Sequence, residues 1–250
     1  MSAIVPGAYP LRVESWEEIP GLVHGFLGRT HGLPSGPFSV DDIRDALVRA
    51  GETPAVIAAS RQVHGAMVLA PEDMCGEIVD DLPAGDAWVS ASADVMLTIR
   101  TADCVPILLV APSARAVAAV HAGWRGTLDG VIEAALAALY ARYDARGDDV
   151  SAAIGPAIGG CCYTFGAEHY DGFEARFGAD VARAWRRDNG GPDRLDLRAV
   201  CRLALERAGV AAGVIHEVGP CTADHPDELH SYRRDGAHAG RQLSYIGWTA

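Results

Sequence analysis

Residues 101–126 read TADCVPILLVAPSARAVAAVHAGWRG. Val105 to Ala111 is an unbroken apolar run, Pro112-Ser113 is a turn, and Ala116 to Val120 is a second apolar run. That is the pattern of two buried strands joined by a short loop. If the strands pair directly, the residue before the first and a residue at the end of the second arrive at one edge of the sheet. Those residues are Cys104 and His121, so the hairpin sets a thiol beside an imidazole. Upstream, Arg61-Gln62-Val63-His64-Gly65 offers a second histidine next to a glycine, in a segment, Gln62 to Ala70, that alternates as a strand does. The expectation is that His64, Cys104 and His121 meet.

Outward from this hairpin the chain alternates strands and helices. Asp94 to Arg100 is an expected strand feeding into Thr101-Ala102-Asp103-Cys104, with Gly85 to Ser90 leading to it. Downstream, Gly126-Thr127 opens an expected helix running to Gly147, with Leu128, Val131, Ile132, Ala135, Leu136 and Leu139 at helical spacing. Earlier, Leu22 to Leu27 is a strand and Gly28 to Pro37 a glycine- and proline-rich loop holding Arg29. Ser39, with Asp42 behind it, caps a helix from Val40 to Ala50 that Gly51 ends. Later come a strand Val150 to Ile154, helices at Ala167 to Phe177 and Leu197 to Ala208, a strand Val214 to Val218, and the basic Ser231-Tyr232-Arg233-Arg234 before a closing strand at Gly240-Arg241-Gln242. No repeat, low-complexity tract or linker interrupts the chain, so residues 1–250 read as one domain.

Composition narrows the function. The 250 residues are 49% hydrophobic, enough for a sizeable core, and carry 21 basic against 33 acidic groups for a net charge of −12. That balance argues against nucleic acid and anionic membrane surfaces as partners. No apolar run approaches a membrane span and no secretory pattern opens the sequence, so a cytoplasmic protein is expected. The six cysteines, Cys75, Cys104, Cys161, Cys162, Cys201 and Cys221, then read as free thiols. Cys201 falls on the apolar side of its helix, and Cys161 and Cys162 are adjacent, a poor geometry for bridging each other.

One cysteine and two histidines suit two chemistries. Zinc takes thiolate and imidazole ligands, and three protein ligands leave a fourth position for water or substrate. The same trio without metal is a Cys-His pair in which imidazole stabilises a nucleophilic thiolate. Spacing does not choose between them.

The whole set of segments resembles the YfiH family, also described as the multicopper polyphenol oxidoreductase or laccase domain. The resemblance runs through Gln62-Val63-His64-Gly65, Gly85-Asp86-Ala87, Thr101-Ala102-Asp103-Cys104-Val105-Pro106, His121-Ala122-Gly123-Trp124-Arg125-Gly126, Ile154-Gly155-Pro156, Cys162-Tyr163, Cys221-Thr222, Ser231-Tyr232-Arg233-Arg234 and Gly240-Arg241-Gln242. Of the family's F-S-T-R-x-G-G signature after the first strand, the chain keeps Arg29 and Gly32.

The resemblance implies a single α+β domain of the CNF/YfiH-like cysteine hydrolase type, with a mixed β-sheet core flanked by helices. It implies a zinc site at His64, Cys104 and His121, with copper as a substitute. The implied activity is phosphorolysis of adenosine, inosine, guanosine or methylthioadenosine, and deamination of adenosine, with purine nucleoside and phosphate as partners. His64, Cys104, His121 and Asp103 are then the catalytic candidates, Asp103 by hydrogen bonding the departing base. Arg125, Arg29 and the Arg233-Arg234 pair are candidates for holding phosphate, and Gln62 joins them as a substrate-binding residue. A cysteine hydrolase or amidase acting on cell-wall peptide precursors is the alternative. Copper phenol oxidation and a non-catalytic metal-binding scaffold rank below both.

Overall fold

The continuous apolar runs become strands covered on both faces, and this decides the layering. In the computed structural model residues 9–74, 82–187 and 191–249 are described; Cys75 and most of the acidic loop at 72–81 lie outside them. In chain order the elements are β1 (Leu22–Phe26), α1 (Val40–Arg49), β2 (Val56–Ala58), β3 (Val68–Leu69), β4 (Ala87–Ser90), β5 (Val95–Thr101), β6 (Val105–Ala111) and β7 (Ala116–Ala122). They continue with α2 (Trp124–Asp129), α3 (Val131–Tyr143), β8 (Ser151–Ile154), α4 (Tyr170–Phe177), β9 (Trp185–Arg186), β10 (Arg194–Leu195), α5 (Leu197–Arg207), β11 (Ile215–Glu217), α6 (Tyr232–Asp235) and β12 (Gln242–Trp248).

Ten of the strands form two mixed sheets, one ordered β11-β8-β6-β7-β4-β3 and the other β1-β12-β5-β2. Every residue of β6 and of β7 is buried, and alternation sorts their side chains between two partners. Leu108, Val110, Val117 and Ala119 pack with Phe26, Leu97, Ile99 and Ile246 of the four-stranded sheet. Ile107, Leu109, Ala118 and Val120 face α3 and α5 through Val131, Ile132, Leu136, Val200 and Leu205. The outer face of the small sheet is sealed by Ile43, Ala46 and Leu47 of α1 against Ile57, Leu243 and Tyr245. The result is four layers, helix, sheet, sheet and helices, so the mixed-sheet core flanked by helices is present in doubled form. Among the described residues no helix is long and apolar enough to cross a membrane.

The hairpin forms as its sequence implies. β6 and β7 run antiparallel with Val105 opposite Ala122 and Pro106 opposite His121, which leaves Cys104 at the same sheet edge. Helix α1 starts on a reciprocal capping box, Ser39 accepting from the Asp42 N–H while Asp42 accepts from the Ser39 N–H, a device worth about 1 kcal/mol.

Two expectations are corrected. The alternating segment Gln62 to Ala70 is a strand only at Val68–Leu69; Val63 and Met67, expected on one face, are exposed. The reason is a carboxylate, described below, that pulls three successive N–H groups of this segment out of any ladder. The helix expected from Gly126 to Gly147 begins at Trp124 and is split into α2 and α3 by Gly130, whose φ of +87° is left-handed.

Buried histidines give the fold an acid limit. His24 on β1 is 2% exposed, and its Nε2 accepts a hydrogen bond of 2.9 Å from the Val13 N–H. Burial, helped by the charge of Arg12, pushes its pKa down to about 4. His230, with burial first and Arg29 second, is depressed to about 4 as well. Unfolded, both titrate near about 6.5. Between those values the unfolded chain binds protons that the folded chain refuses, so stability present above pH ~6.5 is lost as pH falls toward 4. At ~1.4 kcal/mol per pH unit, each contributes a loss on the order of 3 kcal/mol at the acid end. Urea unfolding at pH 7 and at pH 4.5 measures it. His24→Gln, whose amide oxygen can keep the Val13 hydrogen bond, should flatten roughly half of the dependence; an unchanged slope would contradict the assignment.

Candidate metal centre and cavity

The segments carrying His64, Cys104 and His121 converge: the β6–β7 register sets Cys104 beside His121, and Asp86 ties the His64 segment to His121. The Asp86 side chain is fully buried at the start of β4. Oδ1 accepts from the His64 N–H at 2.8 Å and Oδ2 from the N–H groups of Val63 and Gly65 at 3.1 and 2.9 Å. Three successive amides around one carboxylate form an anion-holding nest, and closing it drives His64 to φ +62°, a left-handed conformation uncommon outside glycine and typical of functional sites. The same Oδ1 takes a 2.8 Å hydrogen bond from Nδ1 of His121, which leaves the Nε2 of that ring for a ligand.

Two glycines allow the segments to close up. A Cβ on Gly123 would lie 2.8 Å from His64 Cδ2 and 3.3 Å from Cys104 Sγ, and one on Gly126 would lie 2.8 Å from the Gly65 carbonyl oxygen. Cys104 Sγ stands 3.8 Å from His64 Nε2, and the two imidazole rings meet edge to face at 4.9 Å. One donor atom from each of His64, Cys104 and His121 falls within 4.8 Å of the others. His121 is buried, Cys104 half-buried and His64 exposed, so the cluster is closed behind and open in front.

The charges in the cluster support one another. Burial opposes a thiolate at Cys104, but His121 and then His64 outweigh it and bring the pKa down to about 6. Burial likewise opposes an imidazolium at His121, but Cys104 and Asp86 raise its pKa to about 9. Asp86 itself stays below the usual carboxylate range although burial resists this, because His121 and the Gly65 and His64 amides hold its charge.

In front of the trio lies a cavity of about 720 Å³, within the range of small-ligand sites. Its walls include Phe38, Trp124, Tyr163 and Tyr232 and four arginines, Arg61, Arg100, Arg233 and Arg241. None of the four makes an ion pair among the described residues, in a chain whose net charge is −12. Arg100 lies 4.1 Å over the Phe38 ring, donates to the Ser60 carbonyl and leaves Nη1 without a partner. Burial, then the charge of Arg241, lowers its pKa to about 10.

A family model described as multi-copper polyphenol oxidoreductase laccase matches residues 33–249. The chain belongs to that laccase family. This laccase-family chain is 36% identical over 225 residues to the purine nucleoside phosphorylase of Xylella fastidiosa, covering 88% of this chain and 84% of that one. It is 36% identical over 197 residues to the purine nucleoside phosphorylase YlmD of Geobacillus stearothermophilus, covering 75% and 72%. The crystal structure of YlmD from Geobacillus stearothermophilus superposes with a TM-score of 0.85 at 30% identity, covering 97% of each chain. That of the Bacillus licheniformis hypothetical protein YfiH gives 0.85 at 26% identity, covering 97% of this chain and 98% of the other.

The other sequence candidates of this laccase-family chain fall in different places. Asp103 lines the cavity at φ +92°, with Oδ1 accepting from the Thr222 hydroxyl and Oδ2 from the Arg233 N–H, both at 2.6 Å. Gln62 lines it too, but its amide is bonded at both ends to the Arg100 backbone. Arg233 lines it while donating to the Thr164 carbonyl and hydroxyl and lying 5.1 Å over Tyr163. Arg125 stacks on Trp124 at 4.6 Å and Arg29 donates to the Pro226 carbonyl, and neither lines the cavity.

Sequence reading passed over Asp86, Arg100 and Arg241. A signal existed for the first: an acid between Gly85 and Ala87 at the mouth of an apolar strand must be paired once buried. Arg100 gave no such sign and Arg241 only its place in Gly240-Arg241-Gln242, since the pairing of Gln242 with Thr101 is what brings them to one wall.

Proposed function

We propose that the protein is a purine nucleoside phosphorylase, with zinc held by His64, Cys104 and His121 and inorganic phosphate held by the arginines of the cavity. One observation carries this reading: guanidinium groups without carboxylate partners share a ligand-sized cavity with a His-Cys-His donor set. The donors fit the metal. A thiolate stabilised near neutral pH and an imidazole whose Nδ1 is committed to Asp86 are ligands that zinc, or copper in its place, accepts. Bound there, zinc would supply a Lewis acid facing the cavity.

The remaining work falls to the chain itself. Arg241 and Arg61 would grip and orient phosphate, since guanidinium forks match phosphate oxygens, and would hold its anionic oxygen against the sugar carbon, where a C–O bond forms as the C–N bond breaks and the base departs with a proton. Arg100, whose unpartnered Nη1 is buried, would back the wall with its charge. Trp124, Tyr163 and Tyr232 offer faces for a purine. Asp103 shapes the wall by tying Thr222 to Arg233 and can reach a base only through lone pairs not already engaged. Deamination of adenosine is proposed for the same cavity, with the trio rather than the arginines as the decisive group.

The test is release of free base from adenosine, inosine, guanosine and methylthioadenosine with and without phosphate. Sugar 1-phosphate formed only with phosphate is the expected result. Arg241→Ala should raise the KM for phosphate at least about tenfold while changing the KM for nucleoside little; equal changes in both would remove Arg241 from the phosphate site.

A cysteine hydrolase or amidase is the second reading, favoured by the row Cys104, His121, Asp86, which is a nucleophile, a base and a group orienting the base. Amide hydrolysis that survives chelation and is abolished by thiol alkylation would select it. Phenol oxidation ranks lower, because among the described residues one donor cluster contains histidine and a multicopper relay needs more.

A further inference from the structure

Strands β8 and β11 are parallel neighbours, with Ala152 opposite Ile215 and Ile154 opposite Glu217. The loops leaving their ends therefore run side by side, and a bridge between Ala157 and Cys221 extends the pairing. The first loop presents Cys161 and Cys162, the second Cys221 and Asp224. Cys162 Sγ lies 2.8 Å from Asp224 Oδ1 and Cys161 Sγ lies 3.1 Å from Oδ2, while Cys221 Sγ accepts the Gly159 N–H at 3.2 Å. One donor atom from each of the four falls within 4.8 Å of the others. Asp224 makes no ion pair among the described residues, nor does an arginine or lysine face the sulfurs at ion-pair distance from it.

From this geometry we propose that Cys161, Cys162, Cys221 and Asp224 form a second metal site, for a thiophilic divalent cation of the zinc class. Three thiolates and a carboxylate are a soft, anionic set of four. With metal–sulfur bonds of about 2.3 Å, the edges of a tetrahedral site are about 3.8 Å, so the two sulfur–carboxylate pairs at 2.8 and 3.1 Å would open modestly around an ion while no pair starts more than 4.8 Å apart. Four protein ligands close the shell, which makes the site structural, in contrast to the open trio. Its place gives it a task. Thr222 beside Cys221 holds Asp103, and Tyr163 beside Cys162 lines the cavity, so the ion would brace one wall of that cavity. The proposal rests on the loop geometry and is independent of the nucleoside reading.

The experiment compares zinc content and cobalt(II) substitution of the full chain with two variants, Cys104→Ser and the double Cys161→Ser/Cys221→Ser. Wild type should carry about two ions per chain and each variant about one. Cobalt–thiolate absorption in Cys104→Ser should be about threefold that in the double variant, since it grows with the number of sulfurs bound. Zinc added to metal-free Cys104→Ser should raise its Tm, an arm that decides the matter even if the double variant does not fold. A metal-free Cys104→Ser chain, a double variant with undiminished zinc, or a disulfide joining Cys221 to Cys161 or Cys162 in place of metal would each overturn the proposal.

Discussion

Cys104→Ala should abolish nucleoside phosphorolysis, lowering kcat/KM by at least about a thousandfold, with the fold intact. The sulfur is the one soft donor of the open trio and the charge that raises His121 above its ordinary range. Without it two imidazoles remain, one on an exposed loop in a left-handed conformation, and two ligands do not hold zinc at cellular concentrations. Stability should change little, because Cys104 is half-buried at a sheet edge and the removed atom leaves no enclosed cavity. Base release by chromatography, zinc titration against a competing chelator, and the Tm together check this. Retained turnover with retained zinc affinity would refute the metal reading; retained turnover with zinc affinity lost would show a metal-independent reaction.

Asp86→Ala should be the most damaging substitution for the structure and nearly as damaging for the site. Removing the carboxylate strands the N–H groups of Val63, His64 and Gly65 and the Nδ1 of His121. Buried donors left without acceptors cost about 1–3 kcal/mol each, and loss of a buried charge partner costs about 3–5 kcal/mol. The amides of the exposed residues Val63 and His64 can turn to water, which leaves the Gly65 amide and the broken His121 pair, so a total of about 4–8 kcal/mol is expected. Loss of the group orienting His121 should weaken zinc binding about 10–100-fold. Asp86→Asn separates the effects, since its carbonyl oxygen can serve part of the nest while the charge is gone. It should recover much of the stability and less of the zinc affinity. Urea unfolding and metal titration of both variants supply the comparison; an Asp86→Ala chain as stable as wild type would show that the nest carries no load.

What could be read from the sequence follows from which forces are local. The hairpin is legible because apolar runs and a Pro-Ser turn specify it within one stretch, and its register alone puts Cys104 and His121 at one edge. The second cover of β6 and β7 is not legible: an unbroken apolar run says that both faces are buried but not whether a helix or another sheet buries them. Strand alternation accounts for the position of His64 only in part. The alternation in Gln62 to Ala70 becomes a strand only at Val68–Leu69, and His64 itself is held by a carboxylate far along the chain. The phosphate candidates show the same limit. Arg125, Arg29 and Arg241 all stand beside glycines, so that local sign does not separate them; Arg100 and Arg241 share a wall of the cavity through the pairing of β5 with β12, a contact between distant segments that no local pattern announces.

That pairing also sets which part of the cavity β12 supplies. β12 is inserted between β1 and β5, so residues 242–248 join those two strands, and Gln242 opposite Thr101 carries Arg241 to the cavity wall. A chain cut before Arg241 would therefore lack that wall even with all three donors of the trio in place.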